Sequence, residues 1–63
     1  MNKAQLLQRY YGRVLEVRKR IYQRLADLVP SGAASPEQRD REELEVLKAQ
    51  LDYDLGQLGA DPQ

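Results

Sequence analysis

Seven residues in the middle of the chain, Pro30-Ser31-Gly32-Ala33-Ala34-Ser35-Pro36, decide most of what it can become. Two prolines bracket a run of small residues, and a long segment with helically spaced apolar positions lies on either side. Pro36 suits a first helical position, where its missing N–H would be unpaired anyway, and Ser35 with Gln38 three residues on has the form of a capping box. Pro30 disfavours helical geometry in the residue before it. The spacing therefore predicts helices over about 3–29 and 36–58, the first starting after Asn2 with Gln5 three residues on. Gly59 is expected as a left-handed C-cap, with 60–63 a frayed tail and 30–36 the interhelix turn of a single domain.

Leu, Arg, Gln, Glu and Ala dominate, while Phe, Trp and Thr are absent and Val and Ile are few. Such a chain has little from which to build a sheet. The expected fold is all-α, an antiparallel two-helix hairpin.

At 100° per residue, Leu7, Tyr10, Tyr11, Val14, Val17, Ile21, Leu25, Leu28 and Val29 share one side of the first helix, and Leu15 and Tyr22 widen that side to about 160°. The second helix carries a narrower seam of Leu44, Leu47, Leu51, Leu55 and Leu58. Folding back antiparallel sets residues opposite one another when their numbers sum to about 65. Leu7 then meets Leu58, Tyr10 meets Leu55, Val14 meets Leu51 and Ile21 meets Leu44. Gly12, which costs about 1 kcal/mol in a helix interior, faces Tyr53; a ring settling against bare backbone or two helices approaching closely would account for it, and a kink is the other possibility. Leu15, Tyr22, Val46 and Tyr53 are left over as apolar surface that one hairpin contact does not cover.

Below about 70–80 residues one core rarely supplies more than ~3–5 kcal/mol, and this chain of 63 residues has no cysteine for a disulfide and neither Cys nor His for a structural zinc. Association is the remaining remedy. A homodimer forming a four-helix bundle, held by coiled-coil-like seams, is the simplest case.

Charge is divided between the halves: residues 1–30 hold seven Lys+Arg and two Asp+Glu, and residues 31–63 hold three and eight. That segregation favours antiparallel pairing of the two helices. Arg9, Arg13, Arg20 and Arg24 form a basic stripe about 22 Å long at 1.5 Å per residue. It is read either as a solvated flank or as a grip for an acidic protein face or a phosphate backbone; zero net charge and a pI near 6.2 weaken the nucleic-acid case. Arg18 lies within the apolar side, so it must snorkel, await a partner or pair with a carboxylate, and Asp40 and Asp54 are the candidate mates.

Little supports catalysis. There is no His, Cys, glycine-rich phosphate loop or nucleophile elbow, and the two serines, Ser31 and Ser35, lie in the turn. Glu42, Glu43, Glu45, Asp52 and Asp54 do not converge as Mg²⁺ ligands on one helix face. The longest apolar runs are two residues, far short of a bilayer span, and no signal-peptide core follows the start. The expectation is a soluble, cytoplasmic, non-enzymatic chain without cofactor or metal.

In length and topology the chain is similar to the Rop family of plasmid copy-number regulators, helical-hairpin dimers that hold RNA hairpins with their first helix. That likeness implies RNA binding by the basic first helix and carries no residue over. Val17-Arg18-Lys19-Arg20-Ile21-Tyr22, then Ser35-Pro36-Glu37 and Gln50-Leu51-Asp52, resembles the helical-hairpin aspartyl-phosphate phosphatases of the sporulation phosphorelay. That family has Ser-Gln-x-Leu-Asp on its second helix, where this chain places Lys48 or Ala49 for the serine and about two extra helical turns between Pro36 and Asp52. The reading from the residues is a small protein–protein interaction module, a regulator, inhibitor or assembly factor. Its contact residues are expected to be Arg13, Leu15, Arg18, Arg20, Tyr22, Arg24 and Tyr53, with a Rop-like RNA-binding dimer as the alternative.

Overall fold

The computed structural model describes residues 2–60. Helix α1 runs Lys3–Leu28 and helix α2 runs Pro36–Ala60. They pack against each other as an antiparallel hairpin, 48 × 17 × 11 Å.

Each helix begins at a reciprocal cap. The Asn2 side chain accepts from the Gln5 N–H at 2.8 Å while the Gln5 side chain accepts from the Asn2 N–H at 3.0 Å. Ser35 and Gln38 repeat the arrangement at the head of α2, at 3.0 and 2.8 Å. At the other end of α1, the N–H groups of Gly32 and Ala33 donate to the carbonyls of Val29 and Leu28, and the Ser31 hydroxyl also donates to Leu28. Gly32 has φ +80°, the left-handed geometry that reverses the chain at little cost only for glycine. Ala34 tucks beneath the turn, 6% exposed.

Gly59 is not a left-handed cap: it lies inside α2, which continues to Ala60, and Gly32 alone among the described glycines has positive φ. The tail expected at 60–63 lies, beyond the backbone of Ala60, outside the described residues.

The helices meet where Leu15 and Ala49 are buried, 8% and 5% exposed. The antiparallel register matches the expected one, and Tyr53 does lie on Gly12: a Cβ added there would sit 3.3 Å from the ring. One turn away, Gly56 is crowded by the Gln8 side-chain oxygen, which a Cβ there would meet first, and by the Tyr11 ring at 3.2 Å from that position. Gln8 Nε2 donates to the Tyr53 carbonyl at 3.3 Å.

The rotation of α2 about its own axis differs from expectation. Leu44, Leu47, Leu51, Leu55 and Leu58 are all 57–62% exposed, and Tyr10, their expected counterpart, is 62% exposed. The pairings of Leu7, Tyr10, Val14 and Ile21 with that seam are therefore not made within the chain. The face turned toward α1 carries Glu42, Val46, Ala49, Tyr53 and Gly56, about 180° around the wheel from the leucines. Its small residues explain the choice: bare or methyl-only positions at Ala49 and Gly56 on α2, and Gly12 on α1, let two backbones close on large side chains from the opposite helix. Of the residues expected as surplus surface, Leu15 is buried in the hairpin contact and Tyr53 lies on Gly12, while Tyr22 and Val46 are half-buried.

Candidate interaction faces

Packing through those faces leaves one long apolar stripe uncovered on each helix. On α1 it comprises Leu7, Tyr10, Val14, Val17, Ile21 and Leu28, about 120° from the face that holds Leu15. Tyr10, Arg13, Val14, Val17, Arg18 and Ile21 border a shallow groove along it. Tyr10 stands edge-on to Tyr11, with ring centroids 5.7 Å apart, so the Tyr10 ring is braced although its outer face is in water.

Basic groups edge this stripe. Arg13, Arg20 and Arg24 are exposed along one margin, and Arg13 reaches back to Glu16 at 3.0 Å in a contact that leaves both side chains more than 60% exposed. Such a pair is worth under about 1 kcal/mol and yields readily to a better partner. Arg18 closes the opposite margin. Its guanidinium donates to Glu42 at 3.4 Å and lies 3.9 Å from Glu45. The carboxylates that hold it are thus Glu42 and Glu45, in place of the expected Asp40 and Asp54; Asp40 is taken by Arg39 at 3.2 Å and Asp54 by the Gln50 amide at 3.0 Å. The reason is again the rotation of α2, which brings Glu42, only 13% exposed, to the helix interface and leaves Asp40 and Asp54 outside.

The leucine seam of α2 is the second face. Glu43 and Asp54 lie along one margin, with Lys48 and Arg41 along the other; Lys48 contacts Glu45 at 3.4 Å.

Of the contact residues expected from sequence, Arg13, Arg20 and Arg24 are at the surface and share one margin, and Arg18 is partly engaged inside the chain. Leu15 is buried, Tyr22 is half-buried, and Tyr53 is committed to Gly12 with its hydroxyl accepting from Gln57 at 2.9 Å. Leu15 and Tyr53 thus take part in the hairpin contact itself. Tyr10, Val14, Val17, Ile21 and the seam leucines take their place as available surface; their spacing is plain in the sequence, where it reads as the hairpin interior.

Ser35 is engaged as a cap and Ser31 in the turn. Among the described residues no group of three or more acidic side chains is placed to hold a metal ion, and no helix is long and apolar enough to cross a membrane. No protein-family model, curated protein or solved structure matches this chain.

Proposed function

We propose that the chain is a small non-enzymatic interaction module, a regulator, inhibitor or assembly factor, that offers the α1 stripe to an acidic amphipathic helix of a partner protein. The supporting observation is the composition of that stripe: an aromatic and aliphatic floor, Tyr10 at 62% exposure beside half-buried Val14, Val17 and Ile21, with Arg13, Arg20 and Arg24 along one edge. An apolar groove with arginines along one margin suits a helix whose own apolar stripe is acidic along the facing margin, the floor supplying affinity and the charges orientation. A phosphate backbone would engage the arginines but leave Val14, Val17 and Ile21 in water. The protein reading is therefore preferred to a Rop-like RNA dimer. Covering the stripes by association, most simply as a four-helix assembly, also addresses the small core of the lone hairpin.

The test is a titration of isotope-labelled chain, followed by NMR, with a synthetic acidic helix bearing leucines at seven-residue spacing, and in parallel with an RNA hairpin. Saturable shifts concentrated at Tyr10, Val14, Val17 and Ile21 with the peptide are expected. Silence with the peptide, together with RNA binding whose log affinity falls steeply and linearly with log salt, would transfer the function to RNA.

A further inference from the structure

The partner helix proposed for the α1 stripe has a specific description: amphipathic, leucine-seamed and acidic at one margin. The chain contains such a helix, α2, and its seam is uncovered. We infer that the seam of α2 from one copy docks on the α1 stripe of a second copy, antiparallel, so that the protein's first partner is itself; this rests on the reading of the α1 stripe given above.

Three features of the molecule carry the inference. The first is that neither face can satisfy the other within one chain. The turn commits the opposite side of α2, with Ala49 and Gly56, to α1, and the seam points away. The second is register. Both faces repeat about every seven residues, so an antiparallel approach that sets Val14 against Leu51 of the second copy also sets Ile21 and Tyr10 against Leu44 and Leu55.

The third is charge. Antiparallel docking places the margin of α1 that carries Arg13 and Arg24 beside the margin of α2 that carries Asp54 and Glu43. Arg13 then stands level with Asp54 of the second copy, and Arg24 with Glu43. The opposite margins bring Lys48 near Arg18, whose guanidinium Glu42 and Glu45 already hold. Parallel docking would turn the same arginines toward Lys48 and Arg41, so charge selects the antiparallel direction.

With five leucines a little over half exposed, the seam offers roughly 500 Å², and a comparable area on α1 would bring the contact to no more than about 1,000 Å², the size of a weak, concentration-dependent interface. The faces of α1 lie about 120° apart and those of α2 about 180° apart, so two copies cannot close both contacts around a two-fold axis. Two copies make a four-helix assembly with one face free at each end, and the contact repeats into larger species.

Complementation tests this. Val14→Glu spoils only the α1 stripe and Leu51→Glu only the seam, so each variant alone should sediment as a monomer up to several hundred micromolar. Their equimolar mixture should form a dimer and stop there, since the two intact faces meet and the two spoiled faces block growth. Tyr10→Glu, at a residue 62% exposed, replaces Val14→Glu if the latter loses helicity by circular dichroism. Arg24→Glu in the component supplying α1 should weaken the mixture about 2- to 5-fold, with recovery when the other component carries Glu43→Arg. A Val14→Glu chain that still self-associates would overturn the inference in favour of a two-fold α2–α2 contact, and a Leu51→Glu chain that does so would favour an α1–α1 contact. A wild-type chain that is monomeric throughout overturns it too. If that monomer nonetheless binds the synthetic acidic helix, the interaction-module reading survives and only self-recognition falls.

Discussion

Replacing Leu15 or Leu51 by alanine deletes the same atoms from two leucines that differ in what surrounds them. Leu15 is 8% exposed at the centre of the hairpin contact, whereas Leu51 is 58% exposed on the seam. Removing the outer carbons of a nearly buried leucine forfeits about 0.8 kcal/mol for each methylene-sized group plus a cavity contribution, so Leu15→Ala should cost about 2–3 kcal/mol. In a chain of this size that is a large share of the total stability, and at roughly 4–8 °C per kcal/mol the midpoint should fall by about 10–20 °C. Leu51 retains less than half of its contact with protein, and alanine is the better helix former by a few tenths of a kcal/mol, so Leu51→Ala should cost under about 1 kcal/mol. Urea and thermal unfolding followed by circular dichroism, repeated at falling concentration until the midpoint no longer changes, measures both. A Leu51→Ala cost equal to or larger than that of Leu15→Ala in dilute solution would refute the observed rotation of α2 and restore a leucine-seam core.

Further substitutions test the local devices. Ser35→Ala removes the oxygen that accepts from the Gln38 N–H and should lower stability by about 1 kcal/mol in the same unfolding assay, whereas Ser31→Ala should cost less, because the Leu28 carbonyl it donates to keeps the Ala33 N–H. Gly32→Ala places a side chain at φ +80° with nothing within 4 Å of it, so its cost of about 1 kcal/mol is backbone strain without steric clash, and Gly32→Asn should recover part of it. Arg18→Leu removes the partner of Glu42 and Glu45 from a site where the Arg18 side chain is 39% exposed; the stability change should stay within about 1 kcal/mol and shrink in salt, and a loss of several kcal/mol would mean that the ion pair holds the hairpin. Gly12→Val should cost about 1–3 kcal/mol, because the Tyr53 ring lies against that position, and the loss should be smaller when Tyr53→Ala is made with it.

Both helix starts were legible because capping depends on side chains three residues apart: Asn2 with Gln5 and Ser35 with Gln38 make the same exchange whatever the rest of the chain does. The reversal within 30–36 was legible from its two prolines and small residues, but the left-handed residue was expected at Gly59 and is Gly32. Arg18 was recognisable as a cation among apolar neighbours, but its mates were not, since choosing Glu42 and Glu45 over Asp40 and Asp54 requires knowing which side of α2 faces inward. The surface candidates divided along that line. Arg13, Arg20 and Arg24 were identifiable as a basic margin, while Leu15, Tyr22 and Tyr53 were misplaced as outward residues.

Sequence alone determined two helices, a reversal within 30–36 and an antiparallel register that sets Tyr53 on Gly12, because these follow from local backbone chemistry and from the length of the connection. Only tertiary structure decided which side of α2 meets α1. Register fixes how far two helices slide past one another but not how each is rolled about its own axis, and α2 carries two stripes of the same seven-residue period, Leu44-Leu51-Leu58 and Glu42-Ala49-Gly56. Close approach of backbones at the small residues took the second stripe for the hairpin and turned the leucines outward.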